Sequence, residues 1–367
     1  MARSTVLRLR GYWFSFHKWI GLCLAILIIP ISVTGAALVW DGWLDAQINP
    51  QRYAVSTGEA RLTPGAYAEA AMRPAGTANL LASLRYPEGG EGAVVAMMTL
   101  PRGDGPPQRL SVWIDPGTGQ VLDAADPNKG LLRIFHNLHG NVLVGGGAGR
   151  AIVGWVGVFM FISCLTGIWL WWPIGGSFRR GFRWKRQNST NANIHHLVGF
   201  WVLVPLAMLS FTGVWISAPA MTGSQPPRPA PPQPLAQVRL NPDAALAAAR
   251  PLAGGARLTG ITWPTDRSPD WKIGFERVGE IAVSDSTGAA TPPRRAGGPQ
   301  RTLARRWHDG TGMGPVWQTI IFLGGIIPAI LSITGLVMWW RSRGWKRALA
   351  KKRRERAPGD AVPQAAE

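Results

Sequence analysis

Four stretches of this chain run without a charged residue for long enough to cross a lipid bilayer: Trp19–Trp40, Ala151–Trp172, Leu197–Ala218 and Val316–Trp340. A bilayer core about 30 Å thick needs roughly 20 apolar residues of helix. Each stretch exceeds what a buried core helix requires, so the chain reads as a mainly α membrane protein with four spans. Only 16% of the 367 residues are charged and 46% are hydrophobic. The mean hydropathy is nevertheless just +0.05, so sizeable water-facing segments must dilute the spans.

The formal net charge is +19, a balance that can indicate nucleic-acid binding. Here the charge follows topology instead. Arg3, Arg8 and Arg10 precede the first span, and Arg179, Arg180, Arg183, Lys185 and Arg186 fill the short link between the second and third. Nine more basic residues, from Arg341 to Arg356, follow the fourth. With alternating spans all three segments share one side, which the positive-inside rule makes cytoplasmic, both termini included. A lipid bilayer is the expected partner and nucleic acid is not; the tail suits anionic headgroups. The first apolar run is longer than a signal peptide's roughly 7–15 residues and no A-x-A site follows, so a retained anchor is expected. Both cysteines, Cys23 and Cys164, fall inside spans and read as buried packing residues rather than a disulfide framework.

The chain then divides into a basic N-terminus (1–18), a span (19–40), a first outer unit (41–149), a span (150–173), a basic link (174–194), a span (195–218), a second outer unit (219–314), a span (315–340) and a basic tail (341–367). In the first unit, Pro64–Ala71 reads as a helix capped by Thr63. Ala93–Leu100 and Leu110–Ile114 read as strands, and Asp115-Pro-Gly-Thr-Gly as a turn into Gln120–Leu122. Leu131–Val142 carries His136 and His139 before a Gly145–Gly147 break. The second unit opens with a polyproline-like linker, Gln225–Pro234. A short helix from Asn241 to near Gly254 follows, then strands at Leu258–Trp263, Trp271–Glu276 and Glu280–Ser284. The expected fold is a four-helix transmembrane bundle from two span–unit–span repeats, roughly 1–185 and 186–350, with two small α+β units. Internal duplication of this kind is a known design in membrane proteins.

A shared frame supports the duplication. Every span contains Thr-Gly, at 34–35, 166–167, 212–213 and 334–335. His17 precedes Gly35 by 18 residues, and His195 precedes Gly213 by the same 18. A helix that long covers about 27 Å, so each histidine sits at one face and each Thr-Gly near the other. His139 lies 28 residues before Gly167 and His308 lies 27 before Gly335.

All six histidines lie at a span end or just before one. Ionisable groups beside hydrocarbon are functional candidates, and a neutral imidazole is an apt axial ligand for haem iron. The frame yields an inner pair, His17 with His195, and an outer pair, His139 with His308. His196 and His136 are the second choices, the latter because the outer spacing match is weaker. Gly35 and Gly213 then face the outer pair and Gly167 and Gly335 the inner, giving a flat macrocycle room while each threonine bonds back to its own helix. Two haem groups are expected. Zinc is disfavoured because no cysteine or carboxylate cluster accompanies the histidines, and H-N-L-H at 136–139 has too few partners for a metalloprotease. Trp171-Trp172 and Trp339-Trp340 read as interfacial belt residues, and Trp113, Trp263 and Trp271 as core rather than ligand-stacking residues.

The segments HKWIGL…SVTG, LHGNVLVGGGAGRAIVGW…LTGIWLWWP, HHLVGFW…SFTG and WHDGTGMG…SITGLVMWW resemble the PepSY-associated transmembrane proteins of bacterial inner membranes. The resemblance spans nearly the whole chain and makes both α+β units PepSY-like and periplasmic. It implies haem b bound through His17, His139, His195 and His308, and reduction of ferric siderophores. Some relatives carry a fused flavin or nicotinamide domain; this chain has no G-x-G-x-x-G fingerprint, so a separate cytoplasmic or quinol electron donor is expected. The leading alternative is a non-enzymatic PepSY membrane protein that regulates or inhibits a periplasmic protease. A transporter is disfavoured because the spans hold no charge, although Pro30, Pro205 and Pro328 sit within them.

Overall fold

The computed structural model describes residues 2–355 apart from 76–79, 88, 90–91, 101–107, 174–176, 185–186, 188, 225–230 and 295–301. Lys185 and Arg186 of the basic link, most of the proline-rich linker and the end of the tail therefore lie outside the described residues. In chain order the elements are α1 (Ala2–Ala37), α2 (Asp41–Ile48), α3 (Pro64–Ala75), β1 (Leu80–Arg85), β2 (Val94–Leu100), β3 (Gln108–Ile114), β4 (Val121–Ala125), α4 (Leu131–Asn141) and α5 (Gly146–Trp171). They continue as α6 (Thr190–Met221), α7 (Pro242–Ala249), β5 (Leu258–Thr262), β6 (Asp270–Phe275), β7 (Gly279–Ser284), β8 (Ala290–Arg294), α8 (Leu303–Asp309) and α9 (Pro315–Glu355). The chain forms two compact units: residues 1–39, 135–225 and 303–367, and residues 40–134 and 226–302.

The first unit is a helical bundle. Four segments are long and apolar enough to span a membrane, Thr5–Ile48, Gly146–Trp171, Thr190–Met221 and Pro315–Trp345, which makes this a multi-pass membrane protein. Their ends carry recognisable stops. The Ser189 hydroxyl caps α6 by accepting from the Ala192 N–H at 3.3 Å, and left-handed Gly223 follows its last turn. Pro315 opens α9 at a position where a missing N–H costs nothing. The α5 C-terminus is capped from α1, where the Arg10 guanidinium donates to the carbonyls of Trp172 (2.9 Å) and Leu170. Helix α1 packs beside α5 and α9, and α6 beside the same two, so α1 and α6 are diagonal. The outward faces are apolar, as a lipid contact requires; Ile26, Trp201, Val204 and Val316 are exposed. Cys164 is buried, but Cys23 is exposed, contrary to its expected packing role, because it stands on the outer side of α1.

The second unit corrects the expectation of two separate α+β units. Its strands form one eight-stranded antiparallel sheet in the order β4-β3-β2-β1-β5-β6-β7-β8. The seam is the β1–β5 pair, with Ser83 opposite Thr262 and Arg85 opposite Gly260. Joining there removes two edges that would otherwise present unpaired backbone groups. Helices α3 and α7 lie on one face and bury the alternate residues Leu84, Val94, Met98, Ile114, Ile261, Trp271, Ile273 and Ile281. Trp263 packs on Trp271 within this core, with ring centroids 4.9 Å apart. At the far edge strand β8 holds Pro292 and Pro293, residues that cannot extend a ladder. Trp113 lies beneath the Arg52 guanidinium at 3.9 Å, and Arg52 also pairs with Asp45 and Asp123.

Candidate functional site: two histidine pairs on four threonine–glycine seats

Four of the six histidines converge in pairs. The rings of His17 on α1 and His195 on α6 lie with centroids 6.4 Å apart and planes at 87°. Those of His139 on α4 and His308 on α8 are 6.1 Å apart and inclined at 42°. The pairs occupy opposite ends of the bundle, since His17 lies near the start of α1 while His139 packs against Gly35 near its end.

Each imidazole rests on the Thr-Gly of another helix, and the backbone explains why that dipeptide serves. In an α-helix the N–H of residue i bonds the carbonyl of residue i−4. The glycines at 35, 167, 213 and 335 therefore pair with the carbonyls of Ile31, Ser163, Leu209 and Leu331. Lacking a Cβ, each glycine exposes that carbonyl sideways to a second donor, and a carbonyl oxygen has two lone pairs. The imidazoles use this opening. His139 Nδ1 lies 2.9 Å from the Ile31 carbonyl, and His195 Nδ1 lies 3.1 Å from that of Leu331. His17 and His308 make backbone hydrogen bonds at Ser163 and Leu209.

The threonine hydroxyls complete the seats. Thr166 Oγ1 lies 2.8 Å from His17 Nδ1, Thr212 Oγ1 lies 3.0 Å from His308 Nδ1, and Thr334 Oγ1 lies 3.2 Å from His195 Nδ1. Each hydroxyl also donates back into its own helix, as the sequence leads one to expect. The glycine space is used by the imidazole ring itself rather than by a macrocycle. A Cβ at Gly35 would come within 2.4 Å of His139, and one at Gly213 within 3.3 Å of His308. At Gly167 and Gly335 the corresponding approaches, to His17 and His195, are 3.5 and 3.9 Å.

The two second-choice histidines go elsewhere. His196 turns away from its neighbour, with Nε2 3.1 Å from the Gly181 carbonyl and its ring stacked on Trp171. One residue of helix is a rotation of about 100°, so a doublet cannot send both rings to one pair. His136 is exposed on α4 and meets no Thr-Gly seat. The Ile31, Ser163, Leu209 and Leu331 carbonyls escape side-chain reading altogether, although the glycine four residues later marks each one.

The paired rings fit an axially ligated metal macrocycle. With Nδ1 engaged on its seat, Nε2 is the nitrogen left for the partner face. About 2.0 Å of metal–nitrogen bond and about 1.2 Å from nitrogen to ring centre, taken twice, give about 6.4 Å, against the 6.4 and 6.1 Å found. Metal-bound imidazoles characteristically donate their other N–H to a carbonyl or similar acceptor. Among the described residues no three of His, Cys, Asp and Glu gather as a metal site, so each pair suits two axial positions rather than a closed protein cage.

A family model for the PepSY-associated TM region matches residues 14–342. No curated protein matches the chain.

Proposed function

The chain belongs to the PepSY-associated transmembrane family, and from that premise we propose that it is a di-haem reductase passing electrons across the bacterial inner membrane to a periplasmic ferric siderophore. The observation that carries this reading is the pair of imidazole pairs, each at metal-bridging spacing with Nδ1 seated, at opposite ends of one bundle. His17 and His195 would hold one haem b, and His139 and His308 the other. With both axial positions taken by imidazole, the chemistry each group supplies is one-electron transfer. The chain's own part is to hold and orient. The seats fix each ring's plane, hydrogen bonding at Nδ1 raises ligand basicity, and the apolar helices keep water out.

The basic segments support the orientation. Arg8, Arg179, Arg180, Arg183, Arg341 and Arg343 belong to the end that carries His17 and His195, which places that end and both termini in the cytoplasm. A separate cytoplasmic or quinol donor supplies electrons on that side. At the periplasmic side each Fe(III) of the substrate takes one electron and becomes Fe(II), which hard oxygen ligands hold less tightly, so iron is released. The span–PepSY–span repeat belongs to the same reading: each half contributes one histidine and one seat to each end.

The test is a visible spectrum of the detergent-purified chain. The expected result is a Soret band with a low-spin bis-imidazole signature, and His17→Ala and His139→Ala each remove about half of the haem. Full retention in both variants overturns the ligand assignment. Colourless protein that folds as well as haem-loaded protein favours the rival role in regulating a periplasmic protease.

A further inference from the structure

Resting on the two-haem reading, we propose that Thr166 and Thr212 are positioning residues for His17 and His308, and that Thr34, at the same place in its motif, is not one for His139. The Thr166 and Thr212 hydroxyls stand 2.8 and 3.0 Å from the imidazole Nδ1 atoms. A hydroxyl has a single proton, and here it is already donated to the helix, at 3.0 Å to the Ile162 carbonyl and 2.8 Å to that of Met208. Toward the ring each oxygen is therefore an acceptor. That fixes Nδ1 as the protonated nitrogen and presents the Nε2 lone pair to the partner face.

Thr34 spends its proton the same way, at 2.7 Å to the Pro30 carbonyl. Its histidine, however, donates to the Ile31 carbonyl at 2.9 Å. One motif thus holds its ligand through a hydroxyl at two seats and through backbone at a third. His195 is intermediate, with Nδ1 3.1 Å from the Leu331 carbonyl and 3.2 Å from Thr334 Oγ1.

The test replaces each threonine by valine, which keeps the β-branched shape and deletes the hydroxyl. The two centres are distinguishable by electron paramagnetic resonance of the ferric protein, because nearly perpendicular axial rings (87°) and rings at 42° give different low-spin signals. Thr166→Val shifts only the first signal and lowers haem affinity at that site about 10-fold, the lower end of what loss of an outer partner costs. Thr212→Val shifts only the second, and serine at either position restores the wild-type signal. Thr34→Val, which touches the same centre as Thr212→Val, leaves both signals and both haems in place. A Thr34→Val shift as large as that of Thr212→Val overturns the proposal, as does an unmoved spectrum in Thr166→Val and Thr212→Val. If the wild-type chain carries no haem, the functional reading fails separately. Nitrogen-15 resonances of the full-length colourless protein then decide: His17 and His308 are pure Nδ1–H tautomers, and a mixture in the wild type sinks the inference.

Discussion

In the bundle, one device recurs unchanged in all four long helices: a carbonyl at 31, 163, 209 or 331, a threonine three residues on, and a glycine after it. In the sheet, the two halves keep a shared anchor but exchange its partners. Asp115, in the β3–β4 hairpin, accepts from the Ser56 hydroxyl and from the backbone and side chain of Thr118. Asp285, in the β7–β8 hairpin, accepts instead from the backbone of Arg239 and Leu240 and from the Trp271 indole. Each aspartate ties the segment leading into its half's helix down to the sheet. The helix starts differ more. Thr63-Pro64-Gly65 opens α3 where Asn241-Pro242-Asp243 opens α7, and Asp243 reaches across to accept from the Gly65 N–H at 2.9 Å. A carboxylate needs only donors, and many residues supply them. An imidazole seated on a helix needs an uncovered carbonyl and no Cβ, which only glycine allows.

That contrast breaks most sharply at the glycines. Gly35→Ala puts a Cβ 2.4 Å from His139, whereas Gly335→Ala puts one at an ordinary 3.9 Å from His195. The expected outcome is complete loss of one haem in the first variant and none in the second, read from haem-to-protein ratio. Equal losses would show that the glycines serve general helix packing rather than ring access. In the sheet the largest effect is Trp271→Ala. Emptying this fully buried site costs about 3–5 kcal/mol, measured by hydrogen exchange of β5–β7 amides, with the haem ratio unchanged.

The smallest effect sharpens the comparison through pH. Burial alone would raise the Asp115 carboxyl, but hydrogen bonds from Ser56 and Thr118 outweigh it and hold the group well below the usual carboxylate range. Asp285 is lowered in the same sense by Arg239, Leu240 and Trp271. A depressed folded value contributes stability that is complete above the unfolded value of about 3.9 and is lost as pH falls from there through the folded value. Asp115→Asn therefore costs about 1–3 kcal/mol of sheet stability at pH 7, and its gap from wild type closes as pH drops below about 4. A gap independent of pH would show that the anchor works by shape and not by charge.

Much of this was legible before any coordinates. Charge-free runs located the spans, and the repeated His–Gly spacing picked His17, His195, His139 and His308, the four that the structure brings into pairs. Strand β1 (LLASLR) escaped because it lacks β-branched residues, and β8 (ATPPR) because two prolines argue against a strand. The β1–β5 seam has no local signature, since its partners lie more than 170 residues apart and pair by backbone. The seat carbonyls are invisible for the same reason. The fate of His195 and His196 turns on a helix rotation that no composition encodes.

The bundle's division of labour has a mechanical consequence. Helices α1 and α6 each bear a ligand at one end and a seat for another ligand at the other. The interval between the two pairs is thus written into one continuous helix, about 27 Å along α1 from His17 to Gly35, and not into how neighbours pack. Sliding α5 or α9 lengthwise would loosen His17 or His195 without altering that interval, and shifting α4 or α8 would loosen only the opposite pair. The chain has in effect a fixed gauge bar with independently adjustable clamps at its two ends.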